Sequence, residues 1–321
     1  MIKKEPIRFI PYLKSVIWGG EKICRFKGIV QPEPNIGESW EISAVPGHES
    51  VVDGGPYSGM RITELIECFG PELLGKEVFA RYDGKFPLLV KLIDAADNLS
   101  VQVHPDDDLA RKRHDSLGKT EMWYIIDADK DAKIYSGLNR SLTPEEYVRM
   151  MADNTIEEAL AVHDSHAGDV FFLPAGRVHA IGAGNLLAEI QESSDITYRI
   201  YDYDRRDTQG NPRELHTEQA RDAIDYTFYD EYKSAPADAS VADAVIAECG
   251  HFTVSRLLLE GEMSLEYNED SFTVLICLAG EATVEYEAGE MRLKAGETVL
   301  LPAVLNKFRL KGNATLLSAR S

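Results

Sequence analysis

The sequence predicts a mainly β protein built as two related β-barrels, with a small helical insertion in the first. Three observations carry this expectation: short β-branched or alternating runs dominate, the few helices show local start signals, and one Gly-to-Pro unit occurs twice.

The strand runs, in order, are PLLVKLIDA (87–95), NLSVQVH (98–104), EMWYIID (121–127), DVFFLP (169–174), TYRIYDY (197–203), TVLICLAG (273–280) and ETVLLP (297–302). Such side chains pack well on a pleated, half-buried surface. Helices are expected at 62–69, closed by Gly70, for a turn or two after Asp106, at 143–162, and at 217–224 after the cap Thr217. In the third of these, Thr143-Pro144-Glu145-Glu146 supplies an N-cap, a Pro at N1 and a capping-box Glu, and Thr155 with Glu158 repeats the device. SAPADASVADA (234–244) is small, polar and Pro-containing, which reads as a linker and puts a domain boundary near 235–245. The repeated unit is Gly168-DVFFL-Pro174 and Gly296-ETVLL-Pro302, each with an acidic residue after the Gly. A repeated β unit suggests two related barrels and not one large sheet.

Length and charge agree with that division and exclude some functions. At on the order of 150 residues per domain, 321 residues suggest two domains. The 34 Lys and Arg against 54 Asp and Glu give a formal charge of −20, which disfavours nucleic acid and anionic lipid as partners. Cys24, Cys68, Cys249 and Cys277 form no CxxC pair, so a reducing cytoplasm is expected rather than a disulfide framework or a thiolate metal site. MIKKEPIRFIPYLKSVIWGG starts basic without an unbroken apolar run, and no stretch reaches the roughly 18 apolar residues of a membrane span. Neither a leader nor a membrane anchor is expected.

The two Gly-to-Pro units differ in the residues after the Pro. The first continues through Gly176 to His179, giving G-x5-P-x-G-x2-H, whereas the second runs Ala303 to Lys307 with no Gly or His. Upstream, Gln102 and His104 share one strand face by period-2 alternation, and Glu121 opens the next strand. Two imidazoles, a carboxylate and an amide form a mixed N/O set suited to Zn²⁺, and also to Fe²⁺ or Mn²⁺. Against this, a lone His at a strand end is more often a satisfied core or surface residue, and a spread over 102–179 is no fixed-spacing signature.

The G-x5-P-x-G-x2-H pattern resembles the second cupin motif, and the stretch 98–216 resembles the type I mannose-6-phosphate isomerases. The matching segments are NLSVQVHPDD (98–107), GKTEMWYI (118–125), AGDVFFLPAGRVHAIGAGNLLAEIQESSDITYRIYDYDR (167–205) and ELHTEQA (214–220), with Trp18-Gly19-Gly20 and Gly37 to Glu41 alongside. The resemblance implies two cupin-like (jelly-roll) barrels: a catalytic metal-binding domain over 1–235, including the insertion at about 143–162, and a metal-free cupin-like domain over 236–321. It also implies one Zn²⁺ per chain, bound by His104, Glu121 and His179 with Gln102 as fourth ligand. Common cupins place the Glu a few residues after an HxH pair. Here Gln replaces the first His and seventeen positions separate His104 from Glu121, as in the isomerases.

The implied activity interconverts D-mannose 6-phosphate and D-fructose 6-phosphate through an enediol, in cytoplasmic mannose metabolism. Arg199 resembles the family's catalytic arginine. An unbroken strand from 189 to 199 would put Glu189, Gln191, Asp195 and Arg199 on one face. Glu189 is the first choice as proton carrier and Lys119 the second. Ser100, Lys119 and Arg199 are the candidate phosphate donors. Trp18 and Trp123 are candidates for pocket walls or plain core, His216 for a supporting or architectural residue, and His163, His166 and His251 are read as surface residues. Two other readings stay open: a cupin oxygenase holding Fe²⁺, and a sugar-phosphate-binding homologue without turnover. The sequence leaves oligomeric state open.

Overall fold

Two antiparallel sheets stack face to face over the first two thirds of the chain, in a computed structural model that describes residues 1–30, 34–206, 210–238 and 240–321. The six-stranded sheet runs in the order Val170–Leu173, Glu121–Ala128, Asn185–Glu192, Leu88–Ala95, Ile36–Ile42, Tyr12–Gly20. The five-stranded sheet runs Tyr198–Tyr201, Val101–Val103, His179–Ile181, Lys133–Leu138, Leu160–Asp164. Trp18, Leu99, Ile125, Ile134, Phe171 and Leu187 fill the space between them.

All eight residues of Leu88–Ala95 are buried, because the six-stranded sheet is covered on both faces. Leu88, Val90 and Leu92 point outward into a core shared with the helix Ile62–Phe69 and the C-terminal sheet. Lys91 and Ile93 point inward. One side of the strand is thus ordinary core, and the other presents a cation to the interior.

The third sheet has eight strands, three of them 14 residues long: Thr253–Glu266, Thr273–Tyr286 and Lys307–Arg320. Leu257, Leu275, Cys277, Val284, Leu310 and Leu316 form its own core. Its pairing crosses the boundary drawn at 235. Ile7–Ile10 pairs with Thr298–Leu301, and Val51–Val52 pairs with Ile7–Ile10, so two N-terminal strands extend the C-terminal sheet beyond Thr298–Leu301.

The two Gly-to-Pro units adopt the same backbone. Gly168 and Gly296 have φ of 91° and 86°, and each amide donates across to a neighbouring strand, Gly168 to Ile125 and Gly296 to Cys277. Arg177 then donates to Pro174 and Leu305 to Pro302 at the same spacing, and five residues after each Pro a strand starts. The first strand starts on His179 and the second on Lys307, which pairs with Glu266 at the surface.

Several local expectations are corrected. The helix Pro144–Ala152 has the anticipated capping box, with the Glu146 amide donating to Thr143 Oγ1 (3.1 Å) and the Thr143 amide to Glu146 Oε2 (2.8 Å). It does not continue to 162: Asn154 turns left-handed at φ 55°, Ile156–Ala159 is a single 3₁₀ turn, and Leu160–Asp164 is an edge strand. Thr155 makes no capping bond, its hydroxyl turning back to the Met150 carbonyl. His216, not Thr217, holds the cap position of Thr217–Ala223. The linker is shorter than 234–244, since the strand Asp243–Glu248 begins inside it, and its residue 239 lies outside the described residues. The four cysteines are unpaired, and among the described residues no helix is long and apolar enough to cross a membrane.

Helices Lys22–Lys27, Pro71–Leu74 and Lys76–Arg81 carry no side-chain cap at their own N-caps. The first is capped from the sheet instead: the buried Asp94 carboxylate accepts from the Lys22 amide (2.5 Å) and the Ile23 amide (3.3 Å). Asp94→Ala is expected to cost about 1–3 kcal/mol by orphaning these donors, with Asp94→Asn recovering much of the loss. The urea midpoint of unfolding checks both.

Candidate active site

Cross-strand register assembles the site as two facing rows. On the six-stranded sheet Trp40, Lys91, Glu189 and Trp123 stand side by side, with Gln191 opposite Glu121 two residues along. On the five-stranded sheet Arg199, Gln102 and His179 form the other row. Directly opposed Cβ atoms lie roughly 4.5–5.5 Å apart. Residues scattered from 40 to 199 therefore become neighbours.

At one end of the rows, His104 Nε2 lies 3.6 Å from Glu121 Oε2, and His179 Nε2 lies 3.2 Å from Glu121 Oε1. Each ring donates its Nδ1–H to a backbone carbonyl, His104 to Ile196 (2.9 Å) and His179 to Arg177 (2.8 Å). A carbonyl only accepts, so the tautomer is set and both Nε2 lone pairs turn toward Glu121. Those nitrogens and both Glu121 oxygens are buried with no hydrogen-bond partner among the described residues. Acceptors at such density are costly unless a proton or a cation sits among them. Metal–ligand bonds of about 2.0–2.2 Å in a tetrahedron put ligand atoms about 3.3 Å apart, close to the separations seen. The set fits Zn²⁺, and its chemistry equally admits Fe²⁺ or Mn²⁺.

Electrostatics point the same way. Burial, with Lys119 and His179 adding to it, holds His104 neutral far below its ordinary range. Burial takes His179 down to about 4 even though the Arg177 carbonyl favours its charged form. Burial and then the charge of Glu189 push Glu121 well above the usual carboxylate range, against the pull of Lys119 and Lys91.

Beside this cluster is a cavity of about 460 Å³, lined by Trp18, Trp40, Lys91, Ser100, Gln102, Lys119, Glu189, Asp195, Arg199 and Arg213, among others. Lys119 links the two, since its ammonium is also 3.5 Å from Glu121 Oε2. Arg199 donates to Ser100 Oγ (3.4 Å) and to the Glu214 carbonyl (2.9 Å), while its amide donates to His216 Nδ1 (3.1 Å). Among the described residues no carboxylate forms an ion pair with Arg199, because Asp202 is taken by Arg205 and Arg213. Glu189 has both oxygens engaged: Oε2 accepts from Lys91 (3.0 Å) and Oε1 from the Trp123 indole (2.9 Å). Burial would raise Glu189, but Lys91, Lys119 and these hydrogen bonds hold it well below the usual range.

The expected single strand from 189 to 199 is corrected. The chain leaves the six-stranded sheet after Glu192 and joins the five-stranded sheet at Tyr198. Glu189, Asp195 and Arg199 still line one cavity because it lies between the sheets, while Gln191 lies behind it and accepts from Lys91 (2.9 Å). The surface reading holds for His166. It is corrected for His163, half-buried between Phe171 and Tyr232, and for His251, half-buried against Glu192. Trp123 backs the site, edge-on to the His179 ring, without lining the cavity.

Sequence reasoning missed Lys91, Glu38, Trp40 and Arg213. Lys91 lies 3.9 Å from Glu38 Oε2, which accepts from the Trp40 indole (2.7 Å). The available signal was a lone cation inside the apolar run PLLVKLIDA, since a fully buried Lys is rare without a partner. Around the cavity five cationic side chains face three carboxylates. The local balance is positive in a chain of net charge −20.

Comparisons with known proteins agree over nearly the whole chain. The family models "Phosphomannose isomerase type I, catalytic domain" and "Mannose-6-phosphate isomerase, cupin domain" match residues 7–130 and 243–321. The mannose-6-phosphate isomerase ManA of Bacillus subtilis is 38% identical over 97% of either chain, and the mannose-6-phosphate isomerase of Streptococcus mutans is 35% identical over 99% of this chain and 98% of its own. The crystal structure of a Bacillus subtilis mannose 6-phosphate isomerase superposes with a TM-score of 0.88 at 35% identity, covering 98% of this chain and 99% of that one.

The raised Glu121 and lowered histidines make metal uptake a proton-releasing reaction. At neutral pH the metal-free site holds Glu121 as the acid and both imidazoles neutral, so binding is expected to displace close to one proton per chain. The release should fall toward zero in alkaline buffer, where Glu121 has already ionised, and calorimetry in buffers of different ionisation enthalpy measures it. Release of two protons, or none, at pH 7 contradicts this protonation pattern.

Proposed function

The chain belongs to the type I phosphomannose isomerases, and we propose that it interconverts D-mannose 6-phosphate and D-fructose 6-phosphate with one Zn²⁺ held by His104, Glu121, His179 and Gln102. The observation that carries this reading is the convergence of two tautomer-locked imidazoles on one buried carboxylate beside a cationic cavity. Gln102 is the cross-strand neighbour of His179 and lines that cavity, which supports the amide as the fourth ligand. When bound, the ion supplies Lewis-acid charge for the sugar oxygens at C1 and C2.

The reaction moves a proton between C2 and C1 and another between the two oxygens, with no external oxidant or reductant. Arg199 has its guanidinium steadied by Ser100 and the Glu214 carbonyl and, among the described residues, forms no carboxylate ion pair, so it suits the phosphate dianion, with Arg213 also lining the cavity. Ser100 adds a hydroxyl donor. Lys91 and Glu189 form a rigid pair that meets the sugar hydroxyls with oriented charges, and the Trp123 indole holds Glu189 in place from behind.

Between the two candidate proton carriers, geometry favours Lys119. It reaches both the cavity and Glu121, which suits it to carry the proton from C2 to C1. Glu189, with both oxygens committed and its carboxylate strongly stabilised, acts as the anchor of Lys91. In this reading residues 1–235 carry the chemistry and 236–321 carry none, in keeping with Lys307 standing where the first unit has His179. The unpaired cysteines support a reducing, cytoplasmic setting.

A coupled assay on zinc-loaded protein tests the activity; no fructose 6-phosphate from mannose 6-phosphate, or a fully active His179→Ala variant, sinks it. Lys119→Ala is expected to lower kcat by about 10²–10⁴-fold, without rescue by Lys119→Arg, because a guanidinium does not deprotonate. Glu189→Gln should lose less. The reverse ranking returns the proton to Glu189. Because the cavity is positive, KM should rise from low to moderate ionic strength as the phosphate attraction is screened; a constant KM counts against the cationic-cavity assignment.

A further inference from the structure

A second cluster of ligand-type side chains lies where the catalytic barrel meets the C-terminal sheet. Asp107 opens the helix Asp107–His114, Glu192 closes the strand Asn185–Glu192, and His251 sits in the turn between Asp243–Glu248 and Thr253–Glu266. One ligand atom from each lies within 4.8 Å of the others, and His251 Nδ1 is 3.1 Å from Glu192 Oε1. We propose that this joint is a second divalent-cation site, taking a Zn²⁺-like ion through Asp107, Glu192 and His251.

Glu192 is the independent observation that points to a ligand. It is 1% exposed, and its Oε1, on the His251 side, is buried with no hydrogen-bond partner among the described residues. A backbone amide orients each carboxylate by one oxygen: Thr120 donates to Glu192 Oε2 (2.7 Å) and Gly118 to Asp107 Oδ1 (2.8 Å). Two carboxylates this close, one of them buried, repel unless a shared proton or a cation lies between them. The nearby Arg81 side chain is on the surface and offsets only part of that charge. One imidazole and two carboxylates form an N/O set that suits Zn²⁺, and 3.1 Å is close to the edge of such a coordination shell.

The consequence is mechanical. Thr120, which donates to Glu192, directly precedes Glu121, so an ion here braces the start of the ligand-bearing strand against the C-terminal sheet. The chain end is tied in as well, since Ser321 Oγ donates to the His251 carbonyl (2.8 Å). None of the three side chains lines the catalytic cavity.

Equilibrium dialysis of the metal-free full chain against Zn²⁺, followed by elemental analysis, tests the proposal. The wild type should bind about two equivalents per chain, and His251→Ala and Glu192→Gln about one each. His179→Ala should also retain about one, and the His179→Ala, His251→Ala double variant none. His251→Ala with one Zn²⁺ should keep its basal isomerase activity within about twofold, and its thermal midpoint should stop rising after the first equivalent, whereas that of the wild type continues to rise. Saturation of the wild type at one equivalent, or two equivalents retained by His251→Ala, overturns the site. If Glu192→Gln does not fold, the half-exposed His251 still decides the matter through His251→Ala and His251→Gln.

Discussion

Two imidazoles, each locked by a backbone carbonyl into the tautomer that aims a lone pair at one buried carboxylate, set the terms for the rest of this structure. Four such buried atoms facing one another are tolerable only with a proton or a cation among them. The flanking charges follow from that constraint. Lys119 sits against Glu121, and Lys91 is held one row away by Glu189 and Glu38, so the flanking cations have partners and the two imidazole lone pairs stay free. A sandwich of two sheets suits this arrangement because opposing rows bring groups from distant parts of the chain within one hydrogen bond of each other, on strands whose outer faces are ordinary core.

The net charge of −20 first looks unsuited to a phosphorylated substrate. That sum covers the whole chain, whereas the cavity gathers Lys14, Lys91, Lys119, Arg199 and Arg213 against Glu38, Glu189 and Asp195. A ligand responds to the field where it binds, and low-dielectric walls concentrate that field. The acidic exterior and the cationic cavity are therefore separate fields, and the net charge describes only their sum.

Much of the site was legible in one dimension. His179 stands out through the glycine and proline turn before it, His104 and Gln102 through strand alternation, and Glu121 through its place at a strand start. Lys91 was hidden because a lone cation in an apolar run gains meaning only from partners that are 53 and 98 residues away, Glu38 and Glu189. Asp94 was hidden likewise, as the remote cap of Lys22–Lys27. The parity argument for 189–199 reached the right cavity by the wrong route, since the residues sit on two facing sheets and not on one strand.

The sequence by itself determined the strand-rich class, the two Gly-to-Pro units and which residues were candidate ligands, because turn chemistry, alternation and donor type are local properties. Only the tertiary structure decided which sheet each strand joined, that Ile7–Ile10 extends the C-terminal sheet, and that Glu189 has both oxygens already committed. Those outcomes depend on register and on burial shared between remote segments. A strand's own residues specify which face is apolar, but not which partner will cover it.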